Sequence, residues 1–406
     1  MRTGLRVHAL LVILGALLTL PLHAGKGAAY TTGFARWSAA SGGFSAWQRS
    51  GVRLTAAQEL QLDPSTAVSG TDPYAAGGYS GGNFYNGAGF MVGEATSPIV
   101  TPASPFLQAI PSWNAATPAG SWVETQVRAR VGTVWTKWYN LGVWDDDNST
   151  VHRHSVKAQG DTAGSVSTDT LMLSTKNAAA NAVQVKVRLF SDSGVNLPTV
   201  RNASIATSST PAAPSTLLAG DPAKWNRLLN VPQCSQMVYP DGGTVWCSPT
   251  STSMVLGFLT NDTATCETRV RAATAGVHDW IFGGYGNWPF NTAYAATKGF
   301  NAYVARFTSM RDVENWVAIG IPVVFSFAWS NGQLTGAAIP SSAGHLAVIV
   351  GFDANGNPIV NDPAASADAN VRRTYLRSQL EPLWLEKSGG TVYLIYPNGL
   401  QTPPGH

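Results

Sequence analysis

The sequence predicts an all-β domain followed by an α+β domain, and three observations lead to this prediction. Between residues 30 and 205, short runs alternate apolar and polar side chains between clusters of Gly, Asn, Asp and Pro, as in antiparallel strands joined by turns. The stretch 206–220 interrupts this pattern, and after it apolar residues recur at both helical and strand spacing. The length of 406 residues is itself too great for one ordinary core.

The overall charge excludes several classes of partner. The net charge is +3 and charged residues make up 12% of the chain, so no strong field is available to hold nucleic acid or an anionic membrane. A hydrophobic content of 44% is typical of a packed globular protein. The 41 Gly and 24 Pro residues indicate many turns, which agrees with a β-rich architecture. We therefore expect no nucleic-acid partner.

Residues 1–29 are predicted to be a signal peptide. Arg2 and Arg6 form a basic start, and Ala9–Leu22 is an apolar run too short to span a bilayer easily. Small residues for cleavage follow at Leu22–Gly25. An uncleaved membrane anchor is the alternative. The rest of the chain has no comparable apolar run, so the sequence predicts an extracellular, secreted protein without a transmembrane segment after cleavage.

The predicted β domain, residues 30–205, contains runs with the period of two that half-buried strands require. In Ala182–Phe190, one face carries four apolar residues and the other carries Gln, Lys and Arg. Further strand-like runs are Ser121–Val131, Val134–Trp144 and Asp169–Thr175. Many short strands of this kind predict a β-sandwich or jelly roll. Aromatic residues occupy both faces of Val134–Trp144, so one face is expected to be solvated or to bind a sugar or peptide.

The stretch 206–220 is rich in Ser, Thr, Ala and Pro without charge, and we interpret it as a linker. The second domain, residues 221–400, mixes helices and strands. A helix is predicted to begin at Ser248-Pro249, because Pro is tolerated in the first turn, and another spans Ser309–Gly320 with Ser309 as its cap. The predicted strands are Ile321–Trp329, His345–Asp353, Pro358–Pro363 and Thr391–Pro397.

The chain has three cysteines, and their number and positions bear on function. In an exported protein thiols tend to pair, so an odd count leaves at least one thiol without a partner in the chain. Cys247 lies at the start of a predicted helix, where the helix dipole favours a thiolate. Cys234 and Cys266 lie in extended or loop segments that do not activate sulfur. We therefore predict a Cys234–Cys266 disulfide and a free, nucleophilic Cys247.

A thiol nucleophile needs a base, and elimination among the seven histidines leaves two candidates. His345 begins an apolar strand, whereas His278 has no defined scaffold. A third group must orient the imidazole, and either Asp362 or Asn361 can supply it from the strand that follows through one hairpin. A tight Asn-Gly turn would leave His345 and Asp362 a few residues out of alignment, which a bulge or a wider loop would correct.

Two other patterns resemble metal sites. His152 and His154 would place two imidazoles on one face of a strand, but no third ligand is evident. Asp145 and Asp147 lie in an acidic run that is either a solvated loop or a calcium site. The sequence therefore predicts no metal or other cofactor.

The second domain also resembles a known family. The segments "VPQCSQM", "WCSPTSTSMVLGFL", "GHLAVIVGFD" and "IVNDPA", spread over Val231–Pro397, are similar to the bacteriocin-processing (double-glycine leader) cysteine peptidases of the papain-like superfamily. The resemblance implies an α+β papain-like domain in which Cys247, His345 and Asp362 form a triad. It also implies that Gln236, with Gln233 as the alternative, stabilises the oxyanion. The sequence differs in having Ser248 where many members have Gly.

We accordingly expect a secreted cysteine peptidase that hydrolyses peptide bonds in a peptide or protein substrate. One alternative is a peptidoglycan amidase or endopeptidase of the cysteine-histidine type, acting on cell-wall peptide, because such enzymes use similar Gly-His strands. The other alternative is a non-catalytic secreted binding protein whose functional part is the β domain.

Overall fold

A computed structural model of the chain describes residues 30–71, 89–214 and 216–405. The predicted signal peptide, residues 1–29, lies outside these ranges. Within them, no helix combines the length and the apolar character that crossing a membrane requires.

The N-terminal domain consists of antiparallel sheets. Its strands are β1 (Thr32–Ser38), β2 (Gln48–Ser50), β3 (Val52–Leu54), β4 (Leu60–Leu62), β5 (Val68–Thr71), β6 (Gly89–Thr96), β7 (Gln108–Ala116), β8 (Ser121–Val131), β9 (Val134–Trp135), β10 (Tyr139–Trp144), β11 (Gly164–Ser167), β12 (Thr170–Leu173), β13 (Ala180–Ser191) and β14 (Thr199–Ser208). One sheet has the order β11-β12-β7-β14-β4-β3, with β1 also on β14. The other has the order β10-β8-β13-β6-β2, with β5 on β6 and β9 on β8. The predicted all-β domain is confirmed.

Alternation along β13 shows how the sequence forms this domain. Val183, Val185, Val187 and Leu189 are fully buried, whereas Lys186 and Arg188 on the opposite face are partly exposed. The four apolar side chains belong to one core cluster that also contains residues of the facing sheet. Burial of one face of each sheet against the other is the packing of a β-sandwich.

The run Val134–Trp144 divides into two strands, β9 and β10. Between them Trp138 contacts Arg128, which also contacts Trp135, and the guanidinium carbon lies 4.6 Å from each ring centroid. These aromatic side chains are only partly buried. Cation–π contacts of this kind cover part of the outer face of the sheet.

The interpretation of residues 206–220 as a linker is wrong for the first three residues. Ala206, Thr207 and Ser208 complete β14, pair with both β1 and β7, and are buried. Their small side chains resemble a linker in composition, but they fit a strand that is covered on both sides. The segment without regular strand or helix begins at Ser209.

The C-terminal domain packs five helices against one antiparallel sheet. The helices are α1 (Cys247–Thr260), α2 (Cys266–Val277), α3 (Trp288–Thr297), α4 (Met310–Ala318) and α5 (Arg377–Ser388). The strands are β15 (Arg227–Leu228), β16 (Asn301–Arg306), β17 (Val323–Trp329), β18 (Ser342–Phe352), β19 (Pro358–Asn361), β20 (Arg372–Thr374) and β21 (Thr391–Tyr396). The sheet order is β16-β21-β17-β18-β19-β20, with β15 also on β18. This arrangement agrees with the predicted α+β papain-like fold.

Local capping explains where several helices begin. Ser309 is the N-cap of α4, as predicted, and its hydroxyl accepts a hydrogen bond from the backbone N–H of Arg311. Asn287 caps α3 in the same way through the backbone N–H of Phe290. Capping of this kind satisfies backbone donors that have no partner within the helix.

The β18–β19 hairpin contains the bulge that the alignment of His345 with Asp362 requires. Val348 pairs with Asn361 and Ile349 with Val360, but the register shifts by one residue before Gly351 pairs with Ile359. The turn is wider than two residues, because the backbone N–H of Asp353 donates to the carbonyl of Asn357. Both features move the residues after β19 towards the start of β18.

The two domains share one hydrophobic core. Trp113 on β7 is fully buried, and its ring centroid lies 6.1 Å from that of Phe290 on α3. The side chain of Asn114 pairs with the backbone of Ala302 in both directions: Nδ2 donates to the carbonyl at 2.6 Å and Oδ1 accepts from the amide at 3.2 Å. Because β16 is an edge strand, Asn114 covers backbone groups that would otherwise be unpaired.

Side chains of the β domain also hold the ends of two helices. Asp169 Oδ2 accepts a hydrogen bond of 2.7 Å from the backbone N–H of Trp288, the first residue of α3. The guanidinium of Arg153 donates to the carbonyls of Ala275 and Gly276 in the last turn of α2. A negative charge at a helix N-terminus and a positive charge at a C-terminus are both favourable. The β domain is therefore packed into the second domain and is not merely tethered to it.

The predicted disulfide between Cys234 and Cys266 is present, and Cys247 is a free thiol. The bridge links residues 32 apart in sequence.

We expect the Cys234→Ser/Cys266→Ser double variant to lose about 3 kcal/mol of the free energy of unfolding, because a cross-link of this length restricts the unfolded chain. Urea unfolding would measure the loss, with Cys247→Ser as the control. A peptide map of non-reduced protein in which Cys247 is bridged would contradict the assignment.

Candidate functional site

Cys247 is the first residue of α1 and follows a tight glycine turn. A Cβ at Gly243 would lie 1.9 Å from the carbonyl oxygen of Gln236, so only glycine permits this close approach of the two segments. The next turn of α1 is attached to β18, because the hydroxyl of Ser251 donates to the carbonyl of Leu346 at 3.1 Å. The helix start is thereby held beside the residue that precedes Leu346, which is His345.

Cys247, His345 and Asp362 form a chain of hydrogen-bonded side chains. The imidazole of His345 forms a hydrogen bond with the Cys247 side chain. On the other side, His345 Nε2 donates to Asp362 Oδ1 at 2.8 Å. With Nε2 engaged by the carboxylate, Nδ1 is the nitrogen available to the thiol. His345 and Asp362 are both buried, whereas residue Cys247 as a whole is partly buried.

The Asp362 carboxylate is held by three donors. Its Oδ1 also accepts from the backbone N–H of Ala364 at 2.9 Å, and its Oδ2 accepts from the hydroxyl of Tyr375 at 2.6 Å. Asn361, the alternative orienting residue, points elsewhere, because its Nδ2 donates to the carbonyl of Pro232 at 2.9 Å. The structure therefore brings Asp362, and not Asn361, to the imidazole.

The electrostatics of this chain favour a charged thiol–imidazole pair. Burial by itself raises the pKa of the Cys247 thiol, but the hydrogen bond and charge of His345 and the backbone amides of Leu346 and Ser248 outweigh it and lower this pKa. Burial lowers the pKa of His345, but the charge and hydrogen bond of Asp362 raise it well above its ordinary value. Both shifts favour transfer of the thiol proton to the ring.

Two aromatic rings fix the plane of the imidazole. Phe327 and Trp329, on the neighbouring strand β17, lie edge-on to the His345 ring, with centroids 5.4 and 5.7 Å away. Neither these rings nor Tyr375 could be identified from the sequence. Tyr375 lies in a polar stretch with no local pattern, and its role depends on a contact across 13 residues of sequence.

The two glutamine candidates have different surroundings. Gln236 is buried, and its Nε2 donates to the carbonyl of Gly243 at 2.7 Å, in the turn before Cys247. One amide hydrogen is thus engaged, and Gln236 Oε1 has no hydrogen-bond partner among the residues that the structure describes. Gln233 is turned towards β20, because its Oε1 accepts from the backbone N–H of Arg372 at 3.2 Å. Of the two, Gln236 is the one attached to the turn that leads to Cys247.

His278, the rival base, is placed in a different environment. It is the C-cap of α2, and its ring packs against Trp280 and Tyr285 at centroid distances of 5.1 and 5.0 Å. Burial lowers the pKa of His278, which disfavours its charged form. His345, not His278, is hydrogen-bonded to the thiol.

The histidine and aspartate patterns of the β domain are engaged in local structure. His154 Nδ1 donates to the carbonyl of His152 at 2.5 Å, while the His152 ring stacks on Trp280 at 4.1 Å. The carboxylate of Asp145 accepts from the backbone amides of Asp147, Thr150 and Val151. Within residues 30–71, 89–214 and 216–405, no group of three or more His, Cys, Asp or Glu side chains is arranged to hold a metal ion.

The two domains of the chain match two different family models. Residues 33–208 match the model described as the Peptidase C39 N-terminal domain, and residues 228–392 match the Peptidase_C39 like family. A search of curated proteins found no match. The two matched ranges correspond to the β domain and to most of the domain that carries Cys247, His345 and Asp362. The matches and the fold together identify the chain as a papain-like cysteine peptidase of the C39 type with an additional N-terminal domain.

Proposed function

We propose that the protein hydrolyses peptide bonds with Cys247 as nucleophile, His345 as general base and acid, and Asp362 as the group that orients the imidazole. The observation that carries the proposal is the continuous hydrogen-bonded chain of these three side chains at the start of α1. A nucleophile bonded to a base that is itself oriented by a carboxylate is the arrangement that covalent acyl transfer requires.

The proposed reaction has two stages. The Cys247 sulfur attacks the carbonyl carbon of the peptide bond, and His345 holds the thiol proton. When the carbon–nitrogen bond breaks, His345 delivers this proton to the leaving amine, and the acyl group remains on sulfur. A water molecule then attacks the thioester with His345 as its base, which releases the acid and restores the thiol.

The negative charge on the carbonyl oxygen needs nearby donors. We assign this role to the second amide hydrogen of Gln236 and to the backbone N–H of Cys247, which lies at the start of a helix. Support comes from the bond between Gln236 and Gly243, which attaches the glutamine side chain to the turn before Cys247. The N-terminal helix dipole acts in the same direction, because it favours negative charge.

The surroundings of Cys247 fit a peptide or protein substrate. Five large apolar residues on the segments flanking Gln236, Cys247 and His278 are each at least 40% exposed: Met237, Val238, Val245, Trp280 and Phe282. Exposed apolar side chains on segments that flank a reactive group are suited to contact a peptide chain. Export of the protein is part of the same proposal, and the Cys234–Cys266 disulfide supports it because such bridges persist in oxidising compartments.

The proposed activity can be tested with casein and with purified cell walls as parallel substrates. We expect wild-type protein to release peptides from casein and Cys247→Ala protein to release none. Wild-type protein should also gain one label at Cys247 from a thiol-directed electrophile, as mapped by mass spectrometry. Cell-wall cleavage without casein cleavage would favour the peptidoglycan amidase. Absence of both activities and of labelling would favour a non-catalytic binding protein.

Loss of the Tyr375 hydroxyl should make the Asp362 carboxylate less able to orient the His345 imidazole. Burial raises the pKa of Asp362, but His345 and then Tyr375 outweigh it and lower this pKa. In Tyr375→Phe the pKa of Asp362 should therefore rise, so its ionised form is lost at a higher pH. We expect about a tenfold fall in kcat/KM at pH 7, and a larger fall at pH 5, because a hydrogen bond to a charged group is lost.

The matched control for this pH profile is Tyr294→Phe, because Tyr294 is another buried tyrosine and is not among the described groups that act on the Asp362 carboxylate. Its kcat/KM should follow the wild-type profile. A uniform loss of activity in Tyr375→Phe at both pH values would indicate that Tyr375 is only a structural residue.

A further inference from the structure

A polar cavity of about 490 Å³ lies between the two domains. The turn between β11 and β12 lines it from the β domain, and Trp288, Arg306 and Lys387 line it from the other domain. Ala343, two residues before His345 on β18, is also part of its wall. The cavity is therefore adjacent to the strand that carries the proposed base.

Arg306 is an unusual residue to find in this wall. It is only 5% exposed, and its guanidinium donates to Gln108 Oε1 at 2.5 Å, Ser208 Oγ at 2.5 Å and Thr391 Oγ1 at 3.2 Å. The guanidinium also forms a hydrogen bond with the hydroxyl of Tyr30. All four oxygens are neutral. Buried charges in proteins are normally paired with an opposite charge, because desolvation of a lone ion is costly.

The acidic group of the cavity is already engaged. Asp169 Oδ2 accepts from the backbone N–H of Trp288, and Oδ1 accepts from the hydroxyl of Thr170 at 2.9 Å. Asp169 forms no ion pair with Arg306 among the described residues and acts on the guanidinium only at longer range. Lys387 adds a second positive charge at the mouth, where it pairs with the exposed Glu386.

A second cavity lies beside the interdomain cavity, against the same part of β18. It has a volume of about 410 Å³ and shares Ala343 and Lys387 with the interdomain cavity. Trp329 lines it, and the Trp329 ring lies edge-on to His345. Both cavities thus lie against the part of β18 that precedes His345.

We propose that the interdomain cavity is a substrate subsite that binds a carboxylate on the peptide, with Arg306 and Lys387 as its positive charges. This inference rests on the proposed peptidase function. Two sources could supply the carboxylate: an Asp or Glu side chain near the scissile bond, or the C-terminal carboxylate of a short peptide. In either case the β domain forms part of the substrate site and takes part in selecting the substrate.

Binding to full-length Cys247→Ala protein tests the subsite without requiring turnover. The probes are fluorescein-labelled hexapeptide libraries in which one position at a time is fixed as Glu, Gln or Lys, each made with a free C-terminal acid and with a C-terminal amide. We expect Glu to bind roughly tenfold more tightly than Gln or Lys at one position, as judged by fluorescence anisotropy, because a charge-assisted bond is gained. If the C-terminus is the source, the acid should instead bind more tightly than the amide.

Variants in the Cys247→Ala background identify the residues responsible. Lys387→Glu and Arg306→Gln should each reduce the preference to below about threefold, whereas the matched control Lys176→Glu, on the surface of the β domain, should retain it. If circular dichroism shows that Arg306→Gln does not fold, the proposal is tested by the binding preference of the parent protein for the libraries and by the loss of that preference in Lys387→Glu. Equal binding of all libraries overturns the subsite. A carboxylate preference in binding, with no cleavage by wild-type protein, leaves the subsite standing and overturns the peptidase function.

Discussion

His345→Ala is expected to reduce peptide hydrolysis by about 1,000-fold while the fold stays intact, because general acid–base catalysis contributes factors of this size. The imidazole of His345 is hydrogen-bonded both to the thiol of Cys247 and to the carboxylate of Asp362. Without the imidazole, the burial that raises the pKa of Cys247 is no longer opposed by a nearby positive charge. Alkylation of Cys247 by iodoacetamide near neutral pH should slow as well.

The two readouts together separate a catalytic effect from a structural one. Peptide hydrolysis and the alkylation rate should be measured for His345→Ala and for His278→Ala, with circular dichroism of both. His278→Ala should match wild type, because its ring packs on Trp280 and Tyr285 and not on the thiol. If His345→Ala keeps most of its activity, the proposed triad is wrong and His278 becomes the candidate base.

Removal of the β domain is expected to unfold the peptidase domain. Phe290 of α3 packs on Trp113, and the edge strand β16 is covered by Asn114. Each large apolar side chain that loses its cover forfeits about 2 kcal/mol. Exposure of Phe290 and of Tyr303, which packs on Phe34, therefore removes about 4 kcal/mol from a total free energy of unfolding of about 5–15 kcal/mol in ordinary proteins.

This expectation is checked by expressing residues 216–405 alone and following urea unfolding by fluorescence and circular dichroism. A broad transition or insoluble protein is expected. Within the full chain, Trp113→Ala should lower the free energy of unfolding by about 3–5 kcal/mol, whereas Trp135→Ala, on the partly exposed outer face, should have a much smaller effect. A cooperative transition and full hydrolytic activity in the isolated domain would show instead that the β domain is a detachable accessory.

The β domain is packed into the fold and is not the separate unit that the composition of the chain suggests. A Ser/Thr/Ala/Pro-rich stretch after a β-rich region is typical of a flexible linker between independent units. The contacts of Trp113, Asn114, Arg153 and Asp169 across the boundary show instead that the domains are packed together. The proposed carboxylate subsite gives this packing a functional consequence, because the cavity exists only between the two domains.

Several features of the protein follow from the sequence by itself, because each depends on neighbours a few residues away. The alternation in Ala182–Phe190 predicts which face of β13 is buried, and Ser309 predicts the start of α4. The odd number of cysteines, with Cys247 at a helix start, predicts the disulfide and the free thiol. Periodicity, capping and pairing arithmetic are local rules, so they can be applied without knowing the fold.

Other features were decided only by the tertiary structure, because they depend on residues that are distant in sequence. The choice of Asp362 over Asn361 depends on the register of the β18–β19 hairpin and its bulge, and the support from Tyr375 depends on how the chain returns after β19. The assignment of 206–208 to β14 required both neighbouring strands to be present. Local sequence specifies the element and its buried face, but the partner across an interface is selected by packing of the whole chain.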